Sequence, residues 1–152
     1  MSIKGSGSEH ATAVLVGSRA VLIRGPAGSG KSRLAWSLLE AAQAGKIIFA
    51  RLVADDRVAL SALNGRLIAA APAPIAGMIE LRGSGIHRVP YEPFAVVGLV
   101  IDLAAQDAER VPASASLTVD LLGVRLPRLP VAKEQEPLPL VLNALELAKS
   151  AG

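Results

Sequence analysis

A glycine-rich segment between residues 25 and 32 has the residue types and spacing of a phosphate-binding loop. It matches G-x-x-x-x-G-K-S and reads Gly25, Pro26, Ala27, Gly28, Ser29, Gly30, Lys31, Ser32. Its glycines permit backbone angles that a Cβ would forbid, so the loop can turn its N–H groups toward phosphate oxygens. In such a loop the lysine reaches the β- and γ-phosphates and the serine hydroxyl ligates Mg²⁺. The motif predicts nucleotide binding without specifying the reaction.

Two adjacent carboxylates, Asp55 and Asp56, end an apolar run that starts at Lys46. An acid at the end of a buried strand beside a phosphate loop is where a Mg²⁺-organising carboxylate is expected. The second acid is a candidate base for a hydroxyl nucleophile. Because successive strand side chains point to opposite faces, both can serve one site only if the strand ends at Asp55. A solvated turn is the alternative, and the presence of Lys31 favours function.

Three further polar residues are candidates for the same site. If the chain folds into a hairpin at Gly17-Ser18, His10 comes to lie beside Gly25. The residue type alone favours an ordinary solvated histidine at this position. Glu80 and Arg82, two residues apart, could place a carboxylate on a metal and a guanidinium on a phosphate.

The elements predicted around the motif are those that a phosphate loop needs. Val21–Ile23 reads as a buried strand, and a helix pattern runs from Ser32 to about Ala44 with Gly45 as its C-cap. Asn64-Gly65 predicts a hairpin turn. Further strands are predicted at 11–16, 20–24, 46–56, 57–63, 66–71, 94–103, 117–120 and 124–126, and a closing amphipathic helix at 138–151. We expect residues 1–9 to be a flexible start and residues 10–152 to form one domain.

Composition limits the class of protein. Half of the 152 residues are apolar, there is no cysteine, and the net charge is only +3, carried by scattered basic residues. Scattered charge and few aromatic residues argue against nucleic-acid binding. No signal peptide and no uninterrupted apolar run of membrane-spanning length is recognisable. We therefore expect a cytoplasmic protein without a membrane partner.

The ordered set of motifs resembles the catalytic domain of bacterial HPr kinase/phosphorylase, from about His10 to the C-terminus. The segments that carry the resemblance are Gly25–Ser32 (GPAGSGKS), Leu52–Val58 (LVADDRV), Ile79–Ile86 (IELRGSGI) and Leu126–Val131 (LPRLPV). G-K-S occurs in many families, whereas LVADD followed by E-[IL]-R-G-x-G-I is far more specific. The fold implied is α/β: the P-loop kinase variant shared with phosphoenolpyruvate carboxykinase, a mixed sheet with flanking helices.

The resemblance implies an ATP- and Mg²⁺-dependent kinase that phosphorylates a serine of an HPr-type phosphocarrier protein of the phosphotransferase system. Lys31 and the loop would bind the triphosphate, and Ser32 would hold Mg²⁺. Asp56 resembles the acid/base that takes the proton from the serine hydroxyl, with Asp55 on the metal side. The order of these two acids stays open at this point.

The same resemblance implies roles for residues outside the loop. Glu80 is similar to the family's second Mg²⁺ ligand, and Arg82-Gly83 lies in its signature segment. Arg110 resembles the catalytic arginine of a later loop. His10 precedes Gly25 by fifteen residues, which is similar to the family's histidine-to-loop spacing and moves His10 into the site.

The chain also departs from the family's long form. It resembles the short form of some proteobacteria, so we expect it to do without the extra N-terminal domain. The segment 132–136 replaces an arginine- and glycine-containing stretch tied to phosphorolysis. We expect the kinase reaction to be retained and dephosphorylation by inorganic phosphate to be weak or lost. The long members are hexamers, so a homo-oligomer is expected. The alternatives are a P-loop kinase of a small metabolite and a non-catalytic ATP-sensing module.

Overall fold

The computed structural model describes residues 3–151, and Met1, Ser2 and Gly152 lie outside the described residues. Within this range nine strands form one curved mixed sheet, a separate hairpin has two more, and two helices flank the sheet. The helices are α1 Lys31–Gln43 and α2 Pro137–Ala151. The strands are β1 Ile3–Glu9, β2 Ala11–Val16, β3 Arg19–Arg24, β4 Ala50–Ala54, β5 Val58–Leu63, β6 Arg66–Ala70, β7 Met78–Leu81, β8 Gly85–Arg88, β9 Phe94–Leu103, β10 Thr118–Leu121 and β11 Val124–Val131.

The sheet is organised around β3 and β9, which run parallel. The order is β1-β5-β6-β9-β3-β2-β4, and β11 pairs in parallel with the end of β9. β3 is apolar on both faces because both are covered. Val21 and Ile23 pack toward α1 and α2, whereas Ala20 and Leu22 enter a second core enclosed by the curved sheet. The strand that leads into the glycine-rich loop is therefore held on both sides.

Helix α1 begins immediately after the glycine-rich loop. Gly30 precedes it with a φ of 98°, in the left-handed region that glycine adopts without strain. Leu34 and Leu38 are fully buried against the sheet, one turn apart as the apolar periodicity predicts. At the other end the C-cap is Ala44, one residue before the predicted cap. Gly45 follows it with a φ of 78°, and its N–H donates to the carbonyl of Ala42.

The hairpin of β7 and β8 is separate from the sheet but firmly attached to it. Ile79 is fully buried in the core that α1 and α2 cover. On β8, the ring of His87 lies 5.2 Å from that of Trp36 on α1, centroid to centroid. The hairpin thus stands beside the start of α1.

The first residues of the chain differ from the prediction of a flexible start. Ile3–Glu9 is strand β1, which pairs antiparallel with β5 from Ile3 opposite Leu63 to Glu9 opposite Val58. The segment is rich in glycine and serine and has no apolar alternation. It is an edge strand held by backbone hydrogen bonds, which composition does not reveal.

Strand β11 is longer than predicted and runs through two prolines. Its first half pairs with β10, and its second half, from Arg128 to Val131, pairs with β9. Among the described residues, each half has a neighbouring strand on one side only. Proline has no backbone N–H to donate, and Pro127 and Pro130 are tolerated because the other side of each half has no described strand to pair with. Strand β4 is shorter than predicted, because Lys46 turns back and donates its N–H to the Ala41 carbonyl of α1.

The local turn signals are confirmed. Asn64 and Gly65 both have positive φ, 52° and 75°, and join β5 to β6 as the Asn-Gly pair predicts. The β2–β3 hairpin turns at Gly17, with Ala11 opposite Arg24. In the described part of the chain no helix is long and apolar enough to cross a membrane.

Candidate active site

The glycine-rich loop lies between the end of β3 and the start of α1, with its lysine folded over it. Lys31 Nζ donates to the carbonyl oxygens of Gly25, at 2.8 Å, and Pro26, at 3.2 Å. Gly28 and Gly30 have φ values of 80° and 98°, and no atom lies within 4 Å of where their Cβ would stand. The loop is an open concavity, and the N-terminal end of α1 adds unpaired N–H groups to it.

Asp55 is a buried carboxylate at the centre of the site. Its Oδ1 accepts hydrogen bonds from Ser32 Oγ at 2.6 Å and from Thr12 Oγ1 at 2.9 Å. Its Oδ2 accepts from the backbone N–H of Glu80 at 3.0 Å. One side chain thereby joins the phosphate loop, strand β2 and the β7–β8 hairpin.

Asp56 differs from its neighbour in exposure and in backbone conformation. β4 ends at Ala54, and Asp56 has a φ of 70° and is exposed. The strand has therefore ended where the prediction required it to end for both acids to serve one site. Both Asp55 and Asp56 line the same cleft.

The cleft collects most of the residues that the sequence singled out. His10 follows from the hairpin register, since Ala11 lies opposite Arg24, and Glu80 and Arg82 come from the β7–β8 hairpin. The cleft has a volume of about 1290 Å³. The residues singled out in the sequence that line the cleft are His10, Gly25, Pro26, Ala27, Gly28, Gly30, Lys31, Ser32, Asp55, Asp56, Glu80 and Arg82.

Three predicted residues are not among those that line the cleft. Ser29 has a buried hydroxyl in the loop, and Gly83 lies at the tip of the β7–β8 turn. Arg110 is exposed in the loop after β9. The structure thus brings the loop, both aspartates, His10, Glu80 and Arg82 together, but not Arg110.

The oxygen donors of the cleft fit a magnesium–nucleotide complex. Mg²⁺ at phosphotransfer sites is held by one or two carboxylates together with substrate phosphates and water. Ser32 and Asp55 supply adjacent oxygens. Among the described residues there is no group of three or more His, Cys, Asp or Glu side chains that could hold a metal. The buried Ser29 hydroxyl has no hydrogen-bond partner among the described residues, so a polar group is available at the base of the loop.

A charged cluster missed by the sequence analysis lies behind the loop. Arg24, the last residue of β3, makes a two-pronged contact with Asp102 of β9: Nε to Oδ1 at 2.8 Å and Nη2 to Oδ2 at 2.9 Å. This hydrogen bond, opposed by burial, raises the pKa of Arg24 above its ordinary value. Burial raises the pKa of Asp102, but the hydrogen bonds from Arg24 and Arg128 outweigh it and leave that pKa lowered.

Other residues of the cleft were also missed. Thr12 is a fully buried polar residue in an apolar strand, and its hydroxyl orients Asp55. The sequence did carry a signal for Thr12, because it is the single polar residue in the apolar run Ala11–Val16. Trp36 packs against the core and also lines the cleft.

The sheet, the glycine-rich loop between β3 and α1 and the carboxylates beside it define an α/β protein with a P-loop kinase fold. The family model for the HPr Serine kinase C-terminal domain matches residues 3–135, and the chain belongs to that family.

Curated relatives match a shorter segment. HPr kinase/phosphorylase of Clostridium tetani is 40% identical over 81 residues, which are 53% of this chain and 24% of that protein. The protein of the same name from Clostridium acetobutylicum is 36% identical over 81 residues, with the same shares. The match thus spans about a quarter of the length of these relatives.

A solved structure shows the same fold. The Hpr(Ser) kinase/phosphatase from Coxiella burnetii superimposes with a TM-score of 0.77, covering 95% of this chain and 92% of that chain. The two sequences are 23% identical. The architecture is therefore shared along nearly the whole chain, well beyond the segment that the curated relatives match.

Proposed function

We propose that this protein is an ATP- and Mg²⁺-dependent kinase that transfers the γ-phosphoryl group of ATP to a serine of an HPr-type phosphocarrier protein. The observation that carries the proposal is the 2.6 Å hydrogen bond from Ser32 Oγ to Asp55 Oδ1. This hydrogen bond joins the phosphate loop to the LVADD segment. The next residue of that segment, Asp56, is exposed on the cleft. Family membership and the names of the relatives support the choice of acceptor.

The loop and Lys31 would bind and orient the triphosphate. Backbone N–H groups at the N-terminal end of α1 face the loop, and the Lys31 ammonium lies over the Gly25 carbonyl. Phosphoryl transfer needs positioning and charge neutralisation more than covalent chemistry from the protein. Ser32 and Asp55 would hold Mg²⁺, which when bound offsets negative charge on the phosphate oxygens.

Asp56 would act as the base. It accepts the proton of the acceptor serine hydroxyl while the serine oxygen bonds to the γ-phosphorus and the bond from that phosphorus to the bridging oxygen of ADP breaks. Asp55 is the poorer candidate, because both of its oxygens already accept hydrogen bonds from the protein. These contacts favour Asp56 as the base and Asp55 as the metal-side acid, the order that the sequence left open.

The remaining candidates would complete the charge around the transferred group. Glu80 would add a carboxylate on the metal side, since its backbone already contacts Asp55. Arg82, with Gly83 beside it, would contact phosphate, and His10 would stand near the γ-phosphate at the mouth of the loop. Arg110 would reach the cleft only if its loop changes conformation when substrates bind.

The cleft is large enough for a protein acceptor. Small-molecule sites commonly have volumes of about 300–1,000 Å³, and this cleft exceeds them. Trp36, Met78 and Ile86 extend its wall beyond the phosphate loop. A nucleotide and a protruding serine-bearing segment would therefore fit side by side.

The test is transfer of label from γ-labelled ATP with Mg²⁺ to an HPr-type carrier, with Lys31→Ala as the loss variant. We expect the transfer rate to fall about 10²-fold or more, because the variant loses the ammonium that would contact the transferred phosphoryl group. Lys46→Ala, at an exposed position, is the matched control and should leave the rate unchanged. Label on a sugar or acid but on no protein would select a metabolite kinase. Tight ATP binding without any transfer would select a sensor.

Phosphorolysis is proposed to be weak or absent, on the ground that 132–136 lacks the arginine and glycine of the long form. Incubating the serine-phosphorylated carrier with inorganic phosphate tests this. Sustained dephosphorylation would contradict it.

Assembly and location complete the proposal. We propose a cytoplasmic homo-oligomer, with the hexamer of the long members as the candidate state. Phe94 and Val111 are 66% and 82% exposed, and apolar side chains of this size are available for contact between copies. Light scattering would measure the mass, and a monomer at working concentration would contradict the proposal.

A further inference from the structure

A chain of four alternating charges crosses three neighbouring strands behind the phosphate loop. Arg24 on β3 lies opposite Asp102 on β9, and Arg128 on β11 reaches the same aspartate from the position opposite Val100. Arg128 Nε donates to Asp102 Oδ2 at 2.6 Å. Arg128 then continues outward to Asp107, in the loop that follows β9.

Arg128 uses its planar fork to hold that loop at two points. Its Nη1 and Nη2 contact the Asp107 carboxylate at 2.7 and 3.0 Å. Nη1 also donates to the backbone carbonyl of Ser116 at 2.9 Å. Asp107 precedes Arg110 by three residues and Ser116 follows it by six. One guanidinium thus fastens the chain on both sides of Arg110.

The four groups are two arginines and two aspartates, and Glu9 Oε1 lies 4.0 Å from Arg24 Nη1 at the inner end. The Arg128 and Asp102 side chains are 13% and 14% exposed, so solvent screening is weak and charge-assisted hydrogen bonds are strong there. The hydrogen bond to Asp107 is the main cause that raises the pKa of Arg128, and the same contact lowers the pKa of Asp107. All four groups are therefore charged at neutral pH.

Arg24, at the inner end of this row of charges, directly precedes the phosphate loop. Gly25 follows Arg24, and a Cβ on Gly25 would stand 3.1 Å from Leu103 Cβ and 3.2 Å from the Leu103 carbonyl oxygen. Leu103 in turn follows Asp102. A shift of the Arg24–Asp102 pair would therefore move the base of the phosphate loop.

We propose that Arg128 is a positioning residue for the phosphotransfer: through Asp107 and Ser116 it fixes the two ends of the loop, so that the segment between them, which carries Arg110, can move only toward the cleft when substrates bind. Through Asp102 it ties these loop ends to Arg24 at the entrance of the phosphate loop. The inference rests on the proposed function, in which Arg110 acts on the transferred group. Arg128 lies at the centre of Leu126–Val131, a segment singled out in the sequence to which the proposed reaction gives no role.

The test removes the outer contact and leaves the inner cluster intact. Asp107 is 49% exposed, so Asp107→Ala should fold. Trypsin cleavage after Arg110 reports how often the loop opens, and we expect it to be about tenfold faster in the variant. We expect the phosphotransfer rate to fall about tenfold while ATP affinity is unchanged. Asp120→Ala, which removes the exposed pair with Arg125 from β10 and β11, is the matched control and should change none of these.

A double-mutant cycle separates positioning from general stability. If Asp107 acts through Arg110, Asp107→Ala should cost less than about twofold in an Arg110→Gln background, since coupled residues are not additive. An equal loss in both backgrounds, an unchanged cleavage rate, or an Arg110→Gln variant of full activity would each overturn the inference. A wild-type protein that transfers no phosphate would instead contradict the proposed function, while the cleavage comparison would still decide whether Arg128 holds the loop.

Discussion

Asp55 and Asp56 are adjacent in sequence but differ in their surroundings. Asp55 is 4% exposed and accepts three hydrogen bonds, from Thr12, Ser32 and the N–H of Glu80. Asp56 is exposed and follows the end of β4. A carboxylate with fixed orientation suits metal binding, whereas an exposed one is free to meet a substrate hydroxyl.

This difference predicts separate effects for two conservative variants. Asp56→Asn should lower the transfer rate by about 10²- to 10⁴-fold, the usual contribution of a general base, and should leave Mg²⁺–ATP affinity nearly unchanged. Asp55→Asn should weaken Mg²⁺–ATP binding and also lower stability, because a buried, charged acceptor of three hydrogen bonds is lost. Calorimetric titration and single-turnover kinetics measure the two effects. The reverse assignment, with binding lost only in Asp56→Asn, would contradict this division.

The site residues that could be predicted from the sequence are those that belong to short, continuous motifs. GPAGSGKS and LVADD each place their side chains by short-range geometry, and the structure brings these residues to one cleft. Thr12 and Asp102 were missed because their partners are distant in the chain. Thr12 lies 43 residues from Asp55 and Asp102 lies 78 residues from Arg24. Only the fold makes these pairs visible.

Among the elements, the end of β9 supports the phosphate loop from behind. A Cβ on Gly25 would stand 2.5 Å from Ser29 Oγ and within 3.2 Å of Leu103. The backbone of β9 cannot move away, because β3 and β11 pair with it on both sides.

We therefore expect Gly25→Ala to weaken ATP binding at least about tenfold, since the loop must shift to admit the methyl group. Gly17→Ala is the control: it has a φ of 64° in the β2–β3 turn and nothing within 4 Å of its Cβ position. That variant should lose about 1 kcal/mol of stability through backbone strain and keep its ATP affinity. Titration with ATP and urea unfolding compare them, and equal affinity losses would contradict the steric explanation.

Elements with strong local signals were predicted, and those held by distant partners were not. The predicted bounds of β2 and β9 are confirmed, and Asn64-Gly65 gave the β5–β6 hairpin. β1 was missed because its partner β5 begins 49 residues after Glu9 and its own sequence is polar. The second half of β11 was missed because its two prolines argue against a strand. They are compatible with one here because this half pairs with β9 on one side only.

Over the whole molecule, the cluster of Arg24, Asp102 and Arg128 links the central strands by charge rather than by apolar packing. The pKa of Asp102 is lowered, because hydrogen bonds from both arginines outweigh the effect of burial. A carboxylate with a lowered pKa stabilises the fold at pH values above its ordinary pKa of about 3.9. That contribution is lost as the pH falls through the lowered value.

The free energy of unfolding should reflect this pH dependence. Asp102→Asn should be less stable than the wild type at pH 7. The gap should shrink as the pH falls below about 4, because the carboxyl is protonated there in the unfolded state and, at its lowered pKa, in the folded state as well. Urea unfolding at several pH values measures the gap. Asp120→Asn, in the exposed pair with Arg125, should show little difference at any pH. A gap for Asp102→Asn that is constant with pH would contradict the role of its charge.

The central claim is that this cleft moves a phosphoryl group from ATP to a protein serine through Asp56. The most direct measurement is the intact mass of an HPr-type carrier after incubation with Mg²⁺–ATP and either the wild type or Asp56→Asn, followed by location of the modified residue. We expect one added phosphate on one serine with the wild type and almost none with the variant. An unmodified carrier with a wild type that binds ATP, or equal modification by both proteins, would contradict it.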